Sequence, residues 1–296
     1  MKLHTLLLLL GFPSLSVSEV VQSFKETCPE FFIRNPYNQN EVITPTVFKG
    51  EQYKQICQRW KGQYRYATLY DRLSRIPVYS AYTFTSKGKS IRPDEWMIEP
   101  QLDLPSTENN KEMKVMTPDI ADKILFQAKE KDYTSVFTKG HVFPNGYAVD
   151  QEQAESSFTL TNAAPQTGKS NEEWANQVEN PMLKEIKKLC KLNNPAYIVT
   201  GVVPGEKWLP IEIREKSIKN GLNIPSHYWT AFSCVNNKKE HISKAYLAQQ
   251  INPYLNIQFD KREMTVDELN SELTKLYKQA FSVFMKKLQR RNTVKF

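Results

Sequence analysis

The chain has 296 residues, of which 40% are hydrophobic and 11% aromatic, so it holds enough apolar surface for a substantial core. It contains only 10 glycines and no low-complexity tract, which excludes a disordered or fibrous main body. The formal net charge of +8 is typical of a soluble protein, and it also suits attraction to phosphate backbones or anionic surfaces. Charge alone leaves both interpretations open.

Residues 1–18 have the pattern of a secretory signal peptide. A basic start at residues 2–4 precedes an apolar segment at residues 6–12, and small residues at 16–18 provide a cleavage site. The alternative is a buried N-terminal helix, which Pro13 would interrupt. The apolar run is far shorter than the roughly 20 residues that a membrane span needs, and no later stretch is long and apolar enough to span a bilayer. We therefore expect a secreted, extracellular product without a membrane span.

Four cysteines follow the predicted signal, at Cys28, Cys57, Cys190 and Cys234. An even number in an oxidising compartment favours two disulfides, for which three pairings are possible. Pairing of sequence neighbours, Cys28 with Cys57 and Cys190 with Cys234, is the prediction that we favour over four free thiols. No two cysteines have the close spacing of a zinc knuckle.

The first half of the chain contains a predicted hairpin and a long excursion. Residues 64–70 and 76–84 are rich in β-branched and aromatic side chains and predict two antiparallel strands. Residues 86–118 contain several prolines and a polar tip, which is typical of a long surface segment. Thr117 can cap a helix that carries an apolar face through residues 120–128.

The second half mixes strands and helices without strict alternation, which favours an α+β fold over a doubly wound parallel sheet. We predict a mainly antiparallel central sheet flanked by helices, within one domain at residues 19–296. Pro165 should break the strand that precedes it, and a helix opened by Asn171 should stop before Pro181. The remaining elements predicted are helices at 150–157, 182–192 and 265–288 and strands at 157–161, 196–203 and 224–234.

His141 and Asn171 are the first candidates for chemistry. His141 follows Gly140 at a strand end, where a histidine can act as an exposed general base, although a lone histidine is more often structural. Asn171 is either a helix cap or a magnesium ligand through its side-chain oxygen. Glu179 lies eight residues later, about two helical turns, so it should face the same side of the helix as Asn171. There it is either a solvated charge or a carboxylate near the ion.

The order of three motifs strengthens these candidates. Lys-Gly-His at 139–141, Thr-Asn-x-x-Pro-Gln at 161–166 and Asn-x-x-Trp-x-x-x-x-Glu at 171–179 together resemble the DNA/RNA non-specific endonucleases of the ββα-metal type. Upstream, an arginine before a tryptophan at 92–96 matches a further family element. The resemblance extends over most of the chain, from about Cys57 to Cys234.

The resemblance implies a role for each matching residue. His141 corresponds to the general base that activates water, and Asn171 to the ligand of a single Mg²⁺ or similar ion such as Mn²⁺. Glu179 corresponds to the acidic residue near the waters of that ion. Three further matches are a phosphate-contacting arginine and two polar residues that brace the site, namely Arg92, Asn162 and Gln166. The family's substrates are DNA and RNA, and its products carry 5′ phosphates.

One departure from the family leaves two interpretations open. The family signature Asp-Arg-Gly-His is replaced here by Thr138, Lys139, Gly140 and His141. Lysine keeps the positive charge but lacks the planar fork that grips phosphate with two bonds, and threonine removes a carboxylate. The chain is therefore either an active endonuclease or a weakened or inactive nuclease fold that binds nucleic acid or a protein partner.

Overall fold

The structure is a computed structural model. It describes residues 19–35, 38–86, 88, 90–105, 107, 110–191, 193–254 and 258–284. The predicted signal at residues 1–18 and the end of the predicted last helix lie outside the described residues. No helix in these ranges is long and apolar enough to cross a membrane.

The fold is α+β, as the sequence predicts, and its largest element is an eight-stranded antiparallel sheet with the order β1-β4-β5-β6-β11-β14-β15-β16. Four small two-stranded sheets pair β2 with β3, β7 with β8, β9 with β10 and β12 with β13. The strands are β1 Val20–Val21, β2 Ile33–Asn35, β3 Asn38–Ile43, β4 Tyr53–Trp60, β5 Gln63–Asp71, β6 Ile76–Phe84, β7 Met97–Ile98, β8 Lys114–Val115, β9 Phe137–His141, β10 Ala163–Thr167, β11 Ala196–Val203, β12 Lys207–Ile213, β13 Lys216–Ile224, β14 His227–Val235, β15 His241–Gln249 and β16 Lys261–Met264. The helices are α1 Phe24–Thr27, α2 Pro118–Ala121, α3 Gln151–Ser156, α4 Gly168–Trp174, α5 Asn180–Leu189 and α6 Val266–Leu276.

The large sheet separates two apolar layers. Strand β6 is buried along almost its whole length because both of its faces are covered. One layer contains the end of β9, β10, α4, α5 and the β12–β13 hairpin. The other contains α1, α6 and the aromatic segment after α6. The β9–β10 hairpin and α4, which carry the candidate site, therefore lie on one side of the sheet only.

Two disulfides tie the helices to this sheet. Cys28 is bonded to Cys57 with a Cα–Cα distance of 6.0 Å, and Cys190 to Cys234 with a distance of 5.7 Å. Both distances lie in the common range for disulfides. The favoured pairing is confirmed. The first bond joins the end of α1 to β4, and the second joins the end of α5 to β14.

The two helices predicted on either side of Pro181 are a single helix. A π-helical turn at Ala175–Glu179 connects α4 to α5 without a break in helical backbone. Proline cannot donate to the carbonyl four residues earlier, which is that of Gln177. The ammonium of Lys261 donates to this oxygen instead, at 2.9 Å. The predicted stop before Pro181 is therefore wrong because a distant side chain satisfies the carbonyl.

The predicted strand at 157–161 is also wrong. Residues Leu160–Asn162 form a 3₁₀ turn, and the strand is β10, which contains Pro165. Among the described strands β10 pairs only with β9 and forms an edge, where a proline removes no ladder bond. The Tyr228 hydroxyl donates to the Pro165 carbonyl at 2.9 Å and holds the hairpin against β14.

Two predicted helices are shorter than expected. The helix begun by Thr117 ends at Ala121, because the backbone N–H groups of Leu125 and Phe126 donate to the Asp103 carboxylate, each at 2.7 Å. The last helix has the predicted capping box at Thr265 but ends at Leu276. The chain then turns back, and its backbone bonds to side chains of α6.

Candidate active site

The candidate site is built on the antiparallel pair of β9 and β10. Their register places His141 opposite Ala163, Lys139 opposite Pro165 and Thr138 opposite Gln166. Because side chains alternate along a strand, Lys139 and His141 share one face of the hairpin. Thr138 projects to the other face, towards α4.

Gly140 allows the two strands to pack closely. A Cβ atom at this position would lie 2.7 Å from the Cβ atom of Gln166 and 3.1 Å from the Ala164 carbonyl oxygen. The Gln166 side chain is buried over this glycine. Any larger residue at position 140 must push Gln166 out of place.

His141 packs against two aromatic rings, which also contact each other. The centroid of its ring is 4.8 Å from that of Trp96 and 4.6 Å from that of Phe158. Its Nε2 atom is buried and has no hydrogen-bond partner. Burial, then the positive charges of Arg92 and Lys139, lower the pKa of His141 to about 3. The imidazole is therefore neutral at physiological pH, and the same burial and positive charges oppose its protonation.

Arg92 and Lys139 each lie near one of the two aromatic rings that contact His141. The exposed Arg92 guanidinium lies 5.0 Å from the centroid of the Phe158 ring, and the Lys139 ammonium lies 5.2 Å from that of Trp96. The ammonium also contacts Glu130 at 2.5 Å. Lys139 is thus already paired with a carboxylate, an arrangement that the sequence alone did not indicate.

Asn162 fastens the segment after His141 to the large sheet. Its Oδ1 atom accepts from the Ser80 hydroxyl at 2.9 Å and from the Phe143 N–H at 2.8 Å. Its Nδ2 atom donates to the carbonyls of Phe143 and Ser157. The side chain is fully buried and every one of these bonds is internal, so its position is strongly fixed.

Asn171 lies in the first turn of α4 rather than at its cap. The cap is Thr167, whose hydroxyl accepts from the Ser170 N–H. The Asn171 Nδ2 atom donates to the Thr138 hydroxyl at 3.4 Å, and that hydroxyl donates to the Gln166 carbonyl at 3.0 Å. Asn171 is therefore bonded to Thr138 and is linked through that hydroxyl to the Gln166 carbonyl, and it makes no hydrogen bond to His141.

The π-helical turn changes which way Glu179 faces. Eight residues of regular α-helix make about 2.2 turns, which would leave Glu179 about 80° away from Asn171 around the axis. One extra residue in the π turn at Ala175–Glu179 reduces this angle to about 20°. The turn thus favours the shared face expected for the two side chains.

Glu179 has an apolar environment. Burial raises the pKa of Glu179 to about 8. The neighbouring Trp174 indole lowers this pKa only slightly, because the indole Nε1 atom lacks a well-formed hydrogen bond. The hydroxyl of the buried Tyr147 donates to the Glu179 carbonyl at 2.6 Å. A cation bound near this carboxyl would lower its pKa and favour the ionised form.

The donor set fits a hard cation held by a single protein ligand. Among the described ranges, no group of three or more His, Cys, Asp or Glu side chains is placed to hold a metal ion. The amide of Asn171 bonds to Thr138 through its nitrogen, which leaves the oxygen available, and the residue is partly exposed. Mg²⁺ suits such a site because it keeps several waters and binds substrate phosphate.

Two residues of this site were not identified from the sequence as functional. Phe158 contributes a wall of the His141 pocket, and Glu130 binds Lys139. Neither belongs to the three motifs, and each reaches the site through tertiary packing. Trp96 was visible only as part of the arginine–tryptophan element.

Comparison with known proteins identifies the family. The sequence profile of the DNA/RNA non-specific endonucleases matches residues 46–283, which is most of the chain and includes every candidate site residue. The chain belongs to this family. The resemblance predicted from the motifs at 139–141, 161–166 and 171–179 is thereby confirmed.

Two relatives within the family are endonuclease domain-containing 1 proteins. The human protein is 30% identical over 224 residues, and the mouse protein is 28% identical over 213 residues. These alignments cover 74% and 70% of this chain. They cover 40% of the human protein and 38% of the mouse protein, so the chain spans well under half the length of either.

Among solved structures, a crystal structure of the EndoG/EndoGI complex is similar, with a TM-score of 0.47 and 18% identity. The alignment covers 72% of this chain and 83% of the other.

Proposed function

We propose that the chain is a secreted, Mg²⁺-dependent endonuclease that hydrolyses DNA and RNA with little sequence preference. Family membership supports the reaction class. The observation that carries the proposal is the placement of His141, whose buried Nε2 atom has no hydrogen-bond partner and whose ring packs against Trp96 and Phe158 with two cationic side chains nearby. A neutral imidazole can take a proton from the attacking water, and the cations stabilise the negative charge of the phosphate. That negative charge would in turn favour protonation of the imidazole.

Each residue of the site has a part in this reaction. His141 accepts a proton from the water that attacks phosphorus, and the bond from phosphorus to the 3′ oxygen breaks, leaving a 5′ phosphate. Arg92 and Lys139 stabilise the negative charge on the phosphate oxygens. Mg²⁺ at the Asn171 oxygen, or Mn²⁺ in its place, would stabilise the charge that builds up on the phosphate and on the leaving oxygen.

The supporting residues keep this arrangement rigid. Asn162 holds the segment after His141, and Gln166 packs over Gly140. Glu179 lies on the same helix as Asn171 and is proposed to orient water on that side. No base-reading module is visible in the sequence, so contacts to the sugar-phosphate backbone should dominate and sequence preference should be slight.

Secretion is the second part of the proposal. The pattern of residues 1–18 supports it, as do the two disulfides, which persist in oxidising compartments. Residues 19–296 then form the mature domain. Expression in a secretory host should release the protein into the medium with Glu19 as its first residue, which N-terminal sequencing would show. Intracellular retention of the uncleaved chain would contradict this part.

The test of the nuclease activity uses the correctly oxidised protein. It should cut plasmid DNA and structured RNA when Mg²⁺ or Mn²⁺ is added, and EDTA should abolish both activities. Asn171→Ala should raise the Mg²⁺ concentration needed for half-maximal rate. If both substrates stay intact with every divalent ion, the proposed activity is wrong.

A second candidate function is a nuclease fold that binds nucleic acid or a protein partner without cutting. The pairing of Lys139 with Glu130 favours it, because the cation at the family's arginine position is not free. Salt-dependent DNA binding without cleavage would support this alternative. The double change Thr138→Asp with Lys139→Arg separates the two, since a large gain in rate would show that the natural site is weakened.

A further inference from the structure

Arg92 lies on a segment with no regular secondary structure of its own. No helix or strand is described between the end of β6 at Phe84 and the start of β7 at Met97. The Arg92 side chain is exposed. An exposed cation on an unsupported segment would lose much conformational freedom on binding a phosphate. Its contribution to the binding free energy therefore depends on what holds the segment in place.

The side chain of Gln151 holds the backbone directly before Arg92. Its Oε1 atom accepts from the Ile91 N–H at 2.7 Å, and its Nε2 atom donates to the Ile91 carbonyl at 3.3 Å. A single amide thus satisfies both backbone groups of Ile91, as a neighbouring β-strand would. No motif that identifies the family includes Gln151.

The helix that begins at Gln151 is followed by Phe158, which contacts the Arg92 guanidinium. Helix α3 ends at Ser156, whose carbonyl accepts from the buried Tyr66 hydroxyl at 3.0 Å. Phe158 follows two residues later, and its ring lies 5.0 Å from the Arg92 guanidinium. The short segment from residue 151 to residue 158 therefore contacts both the backbone before Arg92 and the Arg92 guanidinium.

Two further restraints act on the same segment. The Gly88 N–H donates to the Val149 carbonyl at 2.8 Å, and a Cβ atom on Gly88 would collide with that oxygen. Pro93 follows Arg92 and disfavours helical backbone at the arginine. Gly88 and Ile91 are therefore both bonded to residues 149–151.

We propose that Gln151 is a positioning residue that holds Arg92 where it binds a substrate phosphate. This inference rests on the proposed function, because the phosphate contact of Arg92 is part of that function. Gln151 itself touches no substrate. Its effect is confined to the ordering of Arg92 before the nucleic acid arrives.

The test measures the dissociation constant for a fluorescein-labelled DNA duplex in EDTA, so it does not depend on cleavage. Gln151→Ala should weaken binding by about fivefold, because the cost of ordering Arg92 then falls on the binding step. The slope of log Kd against log salt should fall by up to about 0.9, the value for one phosphate contact. Gln63→Ala, at an exposed glutamine on β5, is the matched control and should change neither quantity.

A double-mutant cycle decides whether Gln151 acts through Arg92. In the Arg92→Ala background, Gln151→Ala should cause less than about a 1.5-fold further loss, since coupled residues do not contribute independently. Gly88→Ala displaces the same segment by another route and should show the same coupling. In cleavage assays with Mg²⁺, Gln151→Ala should raise KM and leave kcat unchanged. Thermal unfolding midpoints should stay close to wild type, because the Gln151 bonds face solvent.

The outcomes separate this inference from the proposed function. Equal losses from Gln151→Ala in both backgrounds would overturn the positioning role, even if the wild-type chain cuts DNA. Unchanged binding in Arg92→Ala would overturn it as well, because Arg92 would then make no phosphate contact. Failure of the wild-type chain to cut any substrate would contradict the proposed activity, while a coupled loss of binding would still support Gln151.

Discussion

A substrate phosphate that approaches Lys139 meets a cation already bound to a carboxylate. The Lys139 ammonium lies 2.5 Å from Glu130, whose side chain is 56% exposed. Phosphate must share or displace this carboxylate and must also approach against its charge. Glu130→Gln keeps the shape of the side chain and removes the charge. We expect this variant to bind DNA more tightly and to cut it faster at low substrate concentration.

The size of the gain follows from the exposure of the pair. Ion pairs exposed to solvent contribute about 0–1 kcal/mol, since water and side-chain entropy offset most of the Coulomb energy. Release of up to about 1 kcal/mol corresponds to a gain of up to about fivefold in kcat/KM. The gain should shrink as salt is raised, because the Debye length falls to about 10 Å at 0.1 M.

The assay compares initial rates on a labelled duplex below KM at low and moderate salt. Glu26→Gln is the control, because Glu26 is an exposed carboxylate on α1, across the sheet from the site, and gives the same change in net charge. In a Lys139→Ala background the gain from Glu130→Gln should largely disappear. A slower Glu130→Gln enzyme would refute the reasoning, since Glu130 would then position Lys139 rather than compete for it.

Two other variants test the packing and electrostatics around the site. Gly140→Ala should lower the free energy of unfolding by about 1–3 kcal/mol in urea denaturation, because the new methyl group would crowd Gln166; an unchanged midpoint would show that Gln166 moves aside freely. Burial raises the pKa of both Glu19 and Glu99, and Glu99 raises that of Glu19 further, so the folded state holds a proton that the unfolded chain releases. Stability should therefore fall as pH rises above about 4.3, and Glu19→Gln should flatten this decline in Tm. An equally steep decline in Glu19→Gln would contradict this assignment.

Local pattern was sufficient where packing agrees with it. The β-branched and aromatic run at Ile76–Phe84 becomes β6 with the predicted bounds, and the apolar run at Ala196–Val203 becomes β11. The predicted pairing of sequence-neighbouring cysteines is also the one that the structure shows. In each case local propensity and tertiary environment favour the same conformation.

Local pattern failed where a distant group satisfies or captures the backbone. Pro181 is tolerated inside a helix because Lys261 bonds to the carbonyl that proline leaves unpaired. The helix after Thr117 ends early because Asp103 captures two N–H groups. Both partners lie far away in sequence, so no local pattern predicts them.

The motifs predicted which residues belong to the candidate site but not what surrounds them. They single out His141, Asn171 and the substitution at position 139. Phe158 packs against the His141 ring, and Glu130 forms the ion pair with Lys139. Tertiary packing alone brings these two residues to the site. These contacts determine the neutral state of the imidazole and the availability of the ammonium.

The rate of phosphodiester cleavage by His141→Ala tests the central claim most directly. The variant should keep both disulfides, its circular dichroism spectrum and its affinity for DNA in EDTA. Its cleavage rate with Mg²⁺ should fall by at least about 100-fold, the contribution typical of a general base. A folded His141→Ala protein that cuts DNA at the wild-type rate would contradict the account, because His141 could not then be the base.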